Sequence, residues 1–241
     1  MCGLFHGYVC SATLIFMFGH TYQSEAGPFT AEELEAFAGL AQSKIHPAAR
    51  STIMGEGDRT DFCLLIESGL VKVIEAGPRF AGLRGPGDLV GEKGALRGTA
   101  RTASIVAVTN VEALWIPGNL FRKYCLARAD IVLRLWAVDD DRRVEAGRRS
   151  SESPISKERR FAELLIDLVT KGHRVETAEG TAIPSPQTEL AEFMNLSRES
   201  VSPVVRPFKE NNVIQVQRGR TVVTDWDLLG AIARGERTIS P

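Results

Sequence analysis

The spacing of apolar residues changes along the chain and divides it into a strand-rich part and a helical part. Between residues 51 and 116, apolar and polar residues alternate in short runs separated by glycine, which is typical of half-buried β-strands. The runs are Ser51–Met54, Phe62–Glu67, Gly69–Ile74, Arg79–Arg84, Ser104–Val108 and Val111–Ile116. Glycine-rich turns join them, so the pattern predicts an antiparallel roll or barrel.

Helical spacing dominates on both sides of these runs. Phe29–Leu40 is predicted to be a helix that opens with a capping box of Thr30 and Glu33. A long helix is predicted over Asn119–Arg149, where apolar residues recur at intervals of three and four. Those residues are Leu120, Tyr124, Ile131, Leu135 and Val138. Ser150–Pro154 is the predicted hinge to a further helix over Ser156–Gly172, a hairpin over His173–Pro184 and a closing helix over Trp226–Arg234.

The stretch Pro186–Val205 contains two short runs with helical spacing and one tight turn between them. Ser185 is suited to cap the first helix, with Pro186 as its first residue, and Ser197 is suited to cap the second. Asn195 falls at the turn, where a residue that tolerates positive φ is needed. The positions of a small residue, the turn residue and two buried valines are those of a helix-turn-helix, a motif that reads DNA. They are Ala191, Asn195, Val201 and Val204.

Two sets of motifs carry a family resemblance. TELAEFMNLSRESVS and FKENNVIQVQRGRTVVTD resemble the DNA-binding domain of the cyclic-AMP receptor protein and fumarate-nitrate regulator (Crp/Fnr) family. SGLVKVI, GPGDLVGE and RTASIVAV resemble the cyclic-nucleotide-binding roll of that family, so the resemblance covers about residues 29–228. It implies that the second helix enters the major groove, that Val213–Val216 and Thr221–Val223 form a wing, and that the long helix pairs across a two-fold axis. We expect the seam of the implied homodimer between Ile131 and Val138.

The resemblance also implies which residues contact DNA. Between Arg198 and Arg220, five basic residues stand against two acidic ones, although the whole chain has a net charge of −1. Arg198, Glu199 and Ser202 are expected to face base edges, with Arg198 reading guanine and Glu199 cytosine. The expected phosphate contacts are Ser197, Arg206, Lys209 and Arg218. The alternative is that Arg198 and Glu199 form an exposed charge pair on a solvated helix face.

Pro203 and Pro207 oppose this interpretation because both lie inside the predicted second helix. An interior proline removes a helical hydrogen bond and costs ~3 kcal/mol or more. Pro203 also occupies a position where many members of the family carry a base-contacting arginine. We expect a kinked or shortened helix, and the alternative function is a ligand-binding or protein-interaction module with impaired DNA binding.

In the family, a Gly-Glu pair, a short helical loop and an Arg-Ser/Thr-Ala motif form a phosphate cradle. The matching residues are Gly91, Glu92, Arg101, Thr102 and Ala103. The resemblance implies that the arginine and backbone N–H groups hold an exocyclic phosphate, while the glutamate accepts a hydrogen bond from the ribose. Cyclic AMP and cyclic GMP are therefore the candidate effectors.

Three residues depart from the family's cradle. Lys93 stands where the family usually has an apolar residue, which predicts a more basic pocket. Ala146 and Gly147 occupy the places of the base-capping hydroxyl residues, and neither offers a side-chain hydrogen bond. Two alternatives follow: Glu92 and Arg101 pair with each other in a vestigial pocket, or the regulator works without an effector.

Composition adds limits rather than a function. The 241 residues are 44% hydrophobic and 24% charged, which suits one large or two small domains. The cysteines form no CxxC motif and no secretory signal is evident, so we predict reduced thiols in a cytoplasmic protein, with Cys63 in the core. The histidines are scattered and no nucleophile–base constellation is evident, so the sequence does not predict an enzyme.

The first 27 residues contain no Lys or Arg, and their apolar run is too short to span a membrane. Cys2, His6 and Cys10 would align on a helix, but we expect no metal site there. A start codon assigned too far upstream would explain this segment.

Together these patterns predict an α+β protein with an uncertain tail (1–27), a cyclic-nucleotide-binding-type antiparallel β-roll (28–118), a dimerisation helix (119–150) and a winged helix-turn-helix (151–241). The predicted function is a homodimeric DNA-binding transcription regulator controlled by a small effector. Its expected partners are double-stranded DNA, the effector and a second copy, with RNA polymerase as a further candidate and no membrane.

Overall fold

The computed structural model describes residues 28–75, 77, 79–148 and 154–239. The tail with Cys2, His6 and Cys10 lies outside the described residues, as does the predicted hinge apart from Pro154. The roll contains helices α1 (Ala31–Ala38) and α2 (Glu92–Arg97) and strands β1 (Ser43–Ile45), β2 (Thr52–Met54), β3 (Phe62–Ser68), β4 (Val71–Glu75), β5 (Arg79–Arg84), β6 (Leu89–Val90), β7 (Ser104–Ala107) and β8 (Glu112–Pro117).

The strands of the roll form two antiparallel sheets, as the alternation predicts. One sheet has the order β1-β8-β3-β6, and the other has the order β2-β7-β4-β5, which leaves β5 at an edge. β1 and β6 were missed because each has only two or three residues, too short to show alternation. The capping box at the start of α1 is confirmed, since the Thr30 side chain accepts from the Glu33 N–H and the Glu33 side chain accepts from the Thr30 N–H.

The predicted long helix is wrong in one respect, because two helices occupy this segment. Helix α3 (Gly118–Ala127) and helix α4 (Ala129–Arg148) meet at Arg128, whose backbone (φ −135°, ψ 89°) is not helical. Ile131, Leu135 and Val138 of α4 are 0%, 8% and 7% exposed, because they pack with Phe37 and other residues of the roll and with Phe121 of α3. These three residues are buried within one chain, so a dimer seam between Ile131 and Val138 would use the exposed side chains of that stretch, and the seam itself stays a prediction.

The second domain contains α5 (Lys157–Thr170), β9 (Val175–Thr177), β10 (Gly180–Ile183), α6 (Gln187–Phe193), α7 (Arg198–Glu210), β11 (Ile214–Gln217), β12 (Arg220–Val223) and α8 (Trp226–Arg234). Its four strands form one antiparallel sheet in the order β11-β12-β10-β9. Ser156 caps α5, the predicted hairpin is β9–β10, and α8 has the predicted bounds. The core joins α5 to α7 through an edge-to-face contact of Phe161 and Phe208, with ring centroids 5.1 Å apart.

Within the part of the chain that the structure describes, no helix combines the length and hydrophobicity needed to cross a membrane.

Candidate effector pocket and nucleic-acid interface

Arg101 is held at the start of α2 by a dense set of hydrogen bonds. Its Nε donates to Thr60 Oγ1 (2.9 Å), Nη1 to the Gly91 carbonyl (2.7 Å) and Nη2 to the Phe62 carbonyl (2.6 Å). The guanidinium also lies 4.8 Å from the centroid of the Phe62 ring, and the residue is 4% exposed. Burial lowers the pKa of Arg101 from its usual range. The cation therefore ties the first residue of β3 to the residue before α2.

Gly91 is required by this close approach. Its φ is +76°, and a Cβ added there would lie 2.7 Å from Met54 Sδ and 2.8 Å from Arg101 Nη1. A longer residue would be strained in this conformation and would displace the guanidinium. Glycine lets Arg101 reach the backbone at the point where Glu92 begins α2.

Glu92 bonds to α4 and not to Arg101, so the two do not pair with each other in the way the vestigial-pocket alternative expected. Arg142 Nη1 donates to Glu92 Oε1 at 2.9 Å, and Arg142 Nη2 donates to Asp88 Oδ1 at 2.9 Å and to the Leu89 carbonyl at 3.1 Å. Burial opposes the charge of Arg142, but Glu92 and Asp88 outweigh it and raise its pKa. One guanidinium thus joins α4, the start of α2 and the turn before β6.

Arg142 was not among the residues predicted from the sequence, although a signal was present. Arg142 continues the face of Leu135 and Val138 at helical spacing, and that face is buried against the roll. An arginine on a buried helical face needs a carboxylate partner, so it marks a buried charge cluster.

The other residues predicted at or near the cradle differ in exposure. Thr102 is exposed and Ala103 is half-buried, both directly after Arg101. Lys93 forms an ion pair with Asp139 of α4, a carboxylate that also pairs with Arg143, and the more basic pocket stays a prediction. Ala146 and Gly147 lie in the last turn of α4, half-buried and exposed respectively. We refer to Gly91, Glu92, Arg101, Thr102 and Ala103 together as the effector cradle.

The helix-turn-helix is formed by α6 and α7, with Asn195 at the turn in the left-handed region (φ +54°). Ala191, Val201 and Val204 are buried where the two helices meet, as their spacing predicts. Helix α6 begins one residue later than expected, because Pro186 is its N-cap and Ser185 lies buried against His173 (Oγ to Nε2, 2.9 Å). Ser197 caps α7 as predicted and accepts from the Ser200 N–H.

One side of α7 is solvent-exposed and carries the predicted base and phosphate contacts. We call this side the recognition face; its residues are Arg198, Glu199, Ser202, Arg206 and Lys209. Arg206 Nε donates to Glu210 Oε1 at 2.7 Å one turn later. The Glu199 pKa is lowered by its own backbone N–H and by the Ser197 hydroxyl, so this carboxylate is ionised at the N-terminus of α7. Arg218 is exposed in the two-residue turn of the wing, since Gln217 pairs with Arg220.

The prolines do not shorten α7, so that part of the expectation is wrong, while a kink stays a prediction. Helix α7 runs for 13 residues with Pro203 and Pro207 inside it. Pro207 is buried in the domain while Pro203 is exposed beside the recognition face. Burial of Val201, Val204, Val205 and Phe208 holds the helix against the domain core. Tertiary packing of an amphipathic face therefore outweighs the helix-breaking tendency of the two prolines.

Comparison with known proteins agrees with this domain arrangement. Residues 45–128 match the family profile described as Cyclic nucleotide-binding domain, and residues 159–232 match the Crp-like helix-turn-helix domain. The Cyclic AMP receptor protein of Thermus thermophilus is 29% identical over 216 residues, which is 85% of this chain and 94% of that protein. A CRP-like cAMP-activated global transcriptional regulator of Mycobacterium tuberculosis is 26% identical over 227 residues, 88% of this chain and 98% of that protein.

Solved structures show the same fold. A transcriptional regulator of the CRP/FNR family from Thermus thermophilus has a TM-score of 0.66 at 22% identity, covering 80% of this chain and 98% of its own. A second CRP-family regulator from that organism has a TM-score of 0.67 at 23% identity, covering 79% of this chain and 96% of its own. With a cyclic-nucleotide-binding roll followed by a Crp-like helix-turn-helix, the chain belongs to the Crp/Fnr family of DNA-binding transcription regulators.

Proposed function

We propose that this regulator works in the cytoplasm as a homodimer whose binding to double-stranded DNA is set by a small effector in the cradle, with cyclic AMP or cyclic GMP as the candidates. The observation that carries the proposal is the contact of Glu92 with Arg142 of α4. An effector hydroxyl that donates to Glu92 would compete with Arg142 for the same carboxylate. Binding would then change how firmly α4 is held on the roll, and this difference could shift the regulator between states.

The residue types of the cradle support an anionic nucleotide. Arg101 places a buried cation beside Gly91, and the exposed Thr102 offers a hydroxyl donor one residue later. Guanidinium and backbone N–H donors suit a phosphate, and a carboxylate suits a sugar hydroxyl. Relatives named for cyclic AMP favour that nucleotide over cyclic GMP.

The geometry of α7 supports base reading by its first turns. Arg198, Glu199 and Ser202 share the exposed side of the helix, where base edges of the major groove would be within reach. Ser197, Arg206, Lys209 and the wing residue Arg218 surround them and suit phosphate contacts. RNA polymerase is a further proposed partner, because transcription regulators of this kind act at promoters.

The homodimer is supported by an apolar stripe on α4. Leu133, Trp136 and Val144 are 63%, 66% and 52% exposed, and at helical spacing they lie on the side opposite Leu135 and Val138. Large exposed apolar residues in a row on one helix are typical of an interaction surface. A second copy of α4 would bury the stripe in a self-complementary contact.

A module with impaired DNA binding remains the second candidate, and the observation that favours it is the pair of prolines in α7. The unbroken helix removes the simplest reason for impairment, a collapsed recognition helix. Pro203 nevertheless leaves the recognition face without a side-chain donor at that position.

The proposal is tested by selecting genomic fragments with the purified protein, with cyclic AMP, with cyclic GMP and without nucleotide. We expect a two-fold symmetric motif that is enriched with one nucleotide, because a dimer presents two copies of α7 to successive major grooves. Enrichment is measured by sequencing the retained DNA.

Enrichment that is equal in all three conditions would contradict effector control and favour an effector-independent regulator. If no motif appears, the selection is repeated with the double variant Pro203→Ala and Pro207→Ala. A motif that appears only with this variant would establish the impaired reader and overturn the proposal.

Glu92→Gln should weaken nucleotide binding at least about tenfold, because a hydrogen bond to a charged group contributes ~1.5–3 kcal/mol. The measurement is calorimetric titration of the dimer with cyclic AMP and cyclic GMP. Lys93→Gln is the matched control, since Lys93 is adjacent in sequence but pairs with Asp139. Equal losses in the two variants would mean that Glu92 acts only by holding α4.

Arg198→Ala should relax the preferred base at one position of each half-site more than it lowers non-specific affinity. Arg218→Ala, in the wing, should instead weaken binding to all sequences and reduce the salt slope by about one. Binding is measured by fluorescence anisotropy on matched specific and scrambled duplexes across a salt series. A uniform loss with Arg198→Ala would assign Arg198 to a phosphate.

Trp136→Glu should convert the dimer to monomer, because it places a charge at the centre of the apolar stripe. Sedimentation velocity measures the change. Val175→Glu is the control, since Val175 is also an exposed apolar residue (53%) but lies in the second domain. A dimer that survives Trp136→Glu would assign the seam to another surface.

A further inference from the structure

Strand β5 is an edge strand, and the helix-turn-helix covers part of its open edge. The sheet order β2-β7-β4-β5 leaves one side of β5 without a neighbour among the described strands. Exposed edges present backbone N–H and C=O groups that need partners. At Phe80 these groups are both bonded by one side chain, Asn195, which lies at the turn between α6 and α7.

The contact imitates the pairing of a neighbouring strand. The Phe80 N–H donates to Asn195 Oδ1 at 2.8 Å, and Asn195 Nδ2 donates to the Phe80 carbonyl at 2.9 Å. A carboxamide carries the same donor and acceptor as a peptide group, so it can serve both edge groups of one residue. Asparagine also tolerates the positive φ that the turn requires, so one residue shapes the motif and docks it.

Apolar and ionic contacts surround this amide contact. The rings of Phe80 and Phe193 lie 5.0 Å apart, and both residues are almost fully buried. Leu70 and Leu83 of the roll belong to the same apolar cluster as α5, α6 and α7. Lys72 of β4 donates to Glu192 of α6 at 2.5 Å, with the lysine side chain 15% exposed. The helix-turn-helix is therefore seated on the β4–β5 hairpin through a mostly buried contact.

The docked position leaves the recognition face free. The contacts to the roll come from the end of α6 and from the turn, whereas Arg198, Ser202 and Arg206 of α7 remain exposed. A helix-turn-helix held in this way has a fixed orientation relative to the effector roll. In a dimer, that orientation sets the distance between the two recognition faces, which must match successive major grooves.

We propose that Asn195 is a positioning residue: its carboxamide completes the edge of β5 and thereby fixes the DNA-binding domain relative to the effector roll. The inference rests on the proposed function for its effect on DNA, whereas the docking itself does not depend on it. Loss of the amide frees the domain to move, and specific binding then requires the domain to be ordered again when it meets its site.

The test compares Asn195→Gly with Asn212→Gly in the full-length protein. Glycine accepts positive φ in both places, because Asn212 has a φ of +55° and Asn195 a φ of +54°. Asn212 bonds within its own domain, where its carbonyl accepts from Thr224 Oγ1 at 2.7 Å. The pair therefore separates loss of the edge contact from the general effect of replacing a left-handed asparagine.

Two readouts are measured, hydrogen exchange at the Phe80 amide and affinity for the selected DNA site. In Asn195→Gly, exchange at the Phe80 amide should accelerate by about tenfold or more, as expected for the loss of two hydrogen bonds. Affinity for the selected DNA site should fall about tenfold, while affinity for scrambled DNA is unchanged. Asn212→Gly should change neither readout. Asn195→Asp keeps the acceptor but not the donor. Its exchange rate at Phe80 and its specific affinity should both lie between those of the wild type and Asn195→Gly.

Unchanged exchange at Phe80 in Asn195→Gly would overturn the proposal, and so would unchanged or increased affinity for the selected site. If Asn195→Gly loses helical signal by circular dichroism, the comparison is made with Asn195→Asp, for which unchanged affinity for the selected site overturns the proposal, since this variant keeps the acceptor of the Phe80 N–H. A wild-type protein that selects no DNA site would contradict the proposed function, while exchange at Phe80 would still decide the docking.

Discussion

The guanidinium of Arg142, on a half-buried side chain, makes the contacts on which the arrangement of the roll and α4 depends. It bonds Glu92 and Asp88 at the same time, so α4 is tied to the first residue of α2 and to the turn before β6. Breaking a buried ion pair by removing one partner costs ~3–5 kcal/mol, because the other charge stays buried without compensation. A ligand that bonds Glu92 would therefore change how firmly Arg142 holds α4 on the roll.

The two sides of α4 differ in their contacts. Leu135 and Val138 lie on the side of Arg142 and pack into the roll, while Trp136 lies on the opposite side and is exposed. A helix that is clamped by charge at one end and packed along one side leaves its other side available to a partner. Effector binding at the cradle would therefore affect the proposed dimer surface through a single helix, α4.

The recognition helix illustrates how packing can outweigh local propensity. Pro203 and Pro207 each remove a backbone donor, yet α7 keeps 13 residues because its apolar side is fully buried. Pro207 belongs to that buried side, so its ring adds to the core, and Pro203 faces solvent. The turn before the helix is fixed twice, by the left-handed backbone of Asn195 and by the bonds of its amide to Phe80.

Periodicity, capping and turn chemistry predicted six of the eight described strands of the roll, the helix-turn-helix and its cap at Ser197, because these features are local. The wing was predicted from the family resemblance. The family resemblance pointed to a cradle from Gly91 to Ala103, which stays a prediction. Tertiary structure alone decided that Glu92 bonds Arg142, that Lys93 turns to Asp139, and that Ile131 faces the roll. These contacts join residues far apart in the chain, and a periodic pattern identifies a buried side of a helix without identifying what covers it.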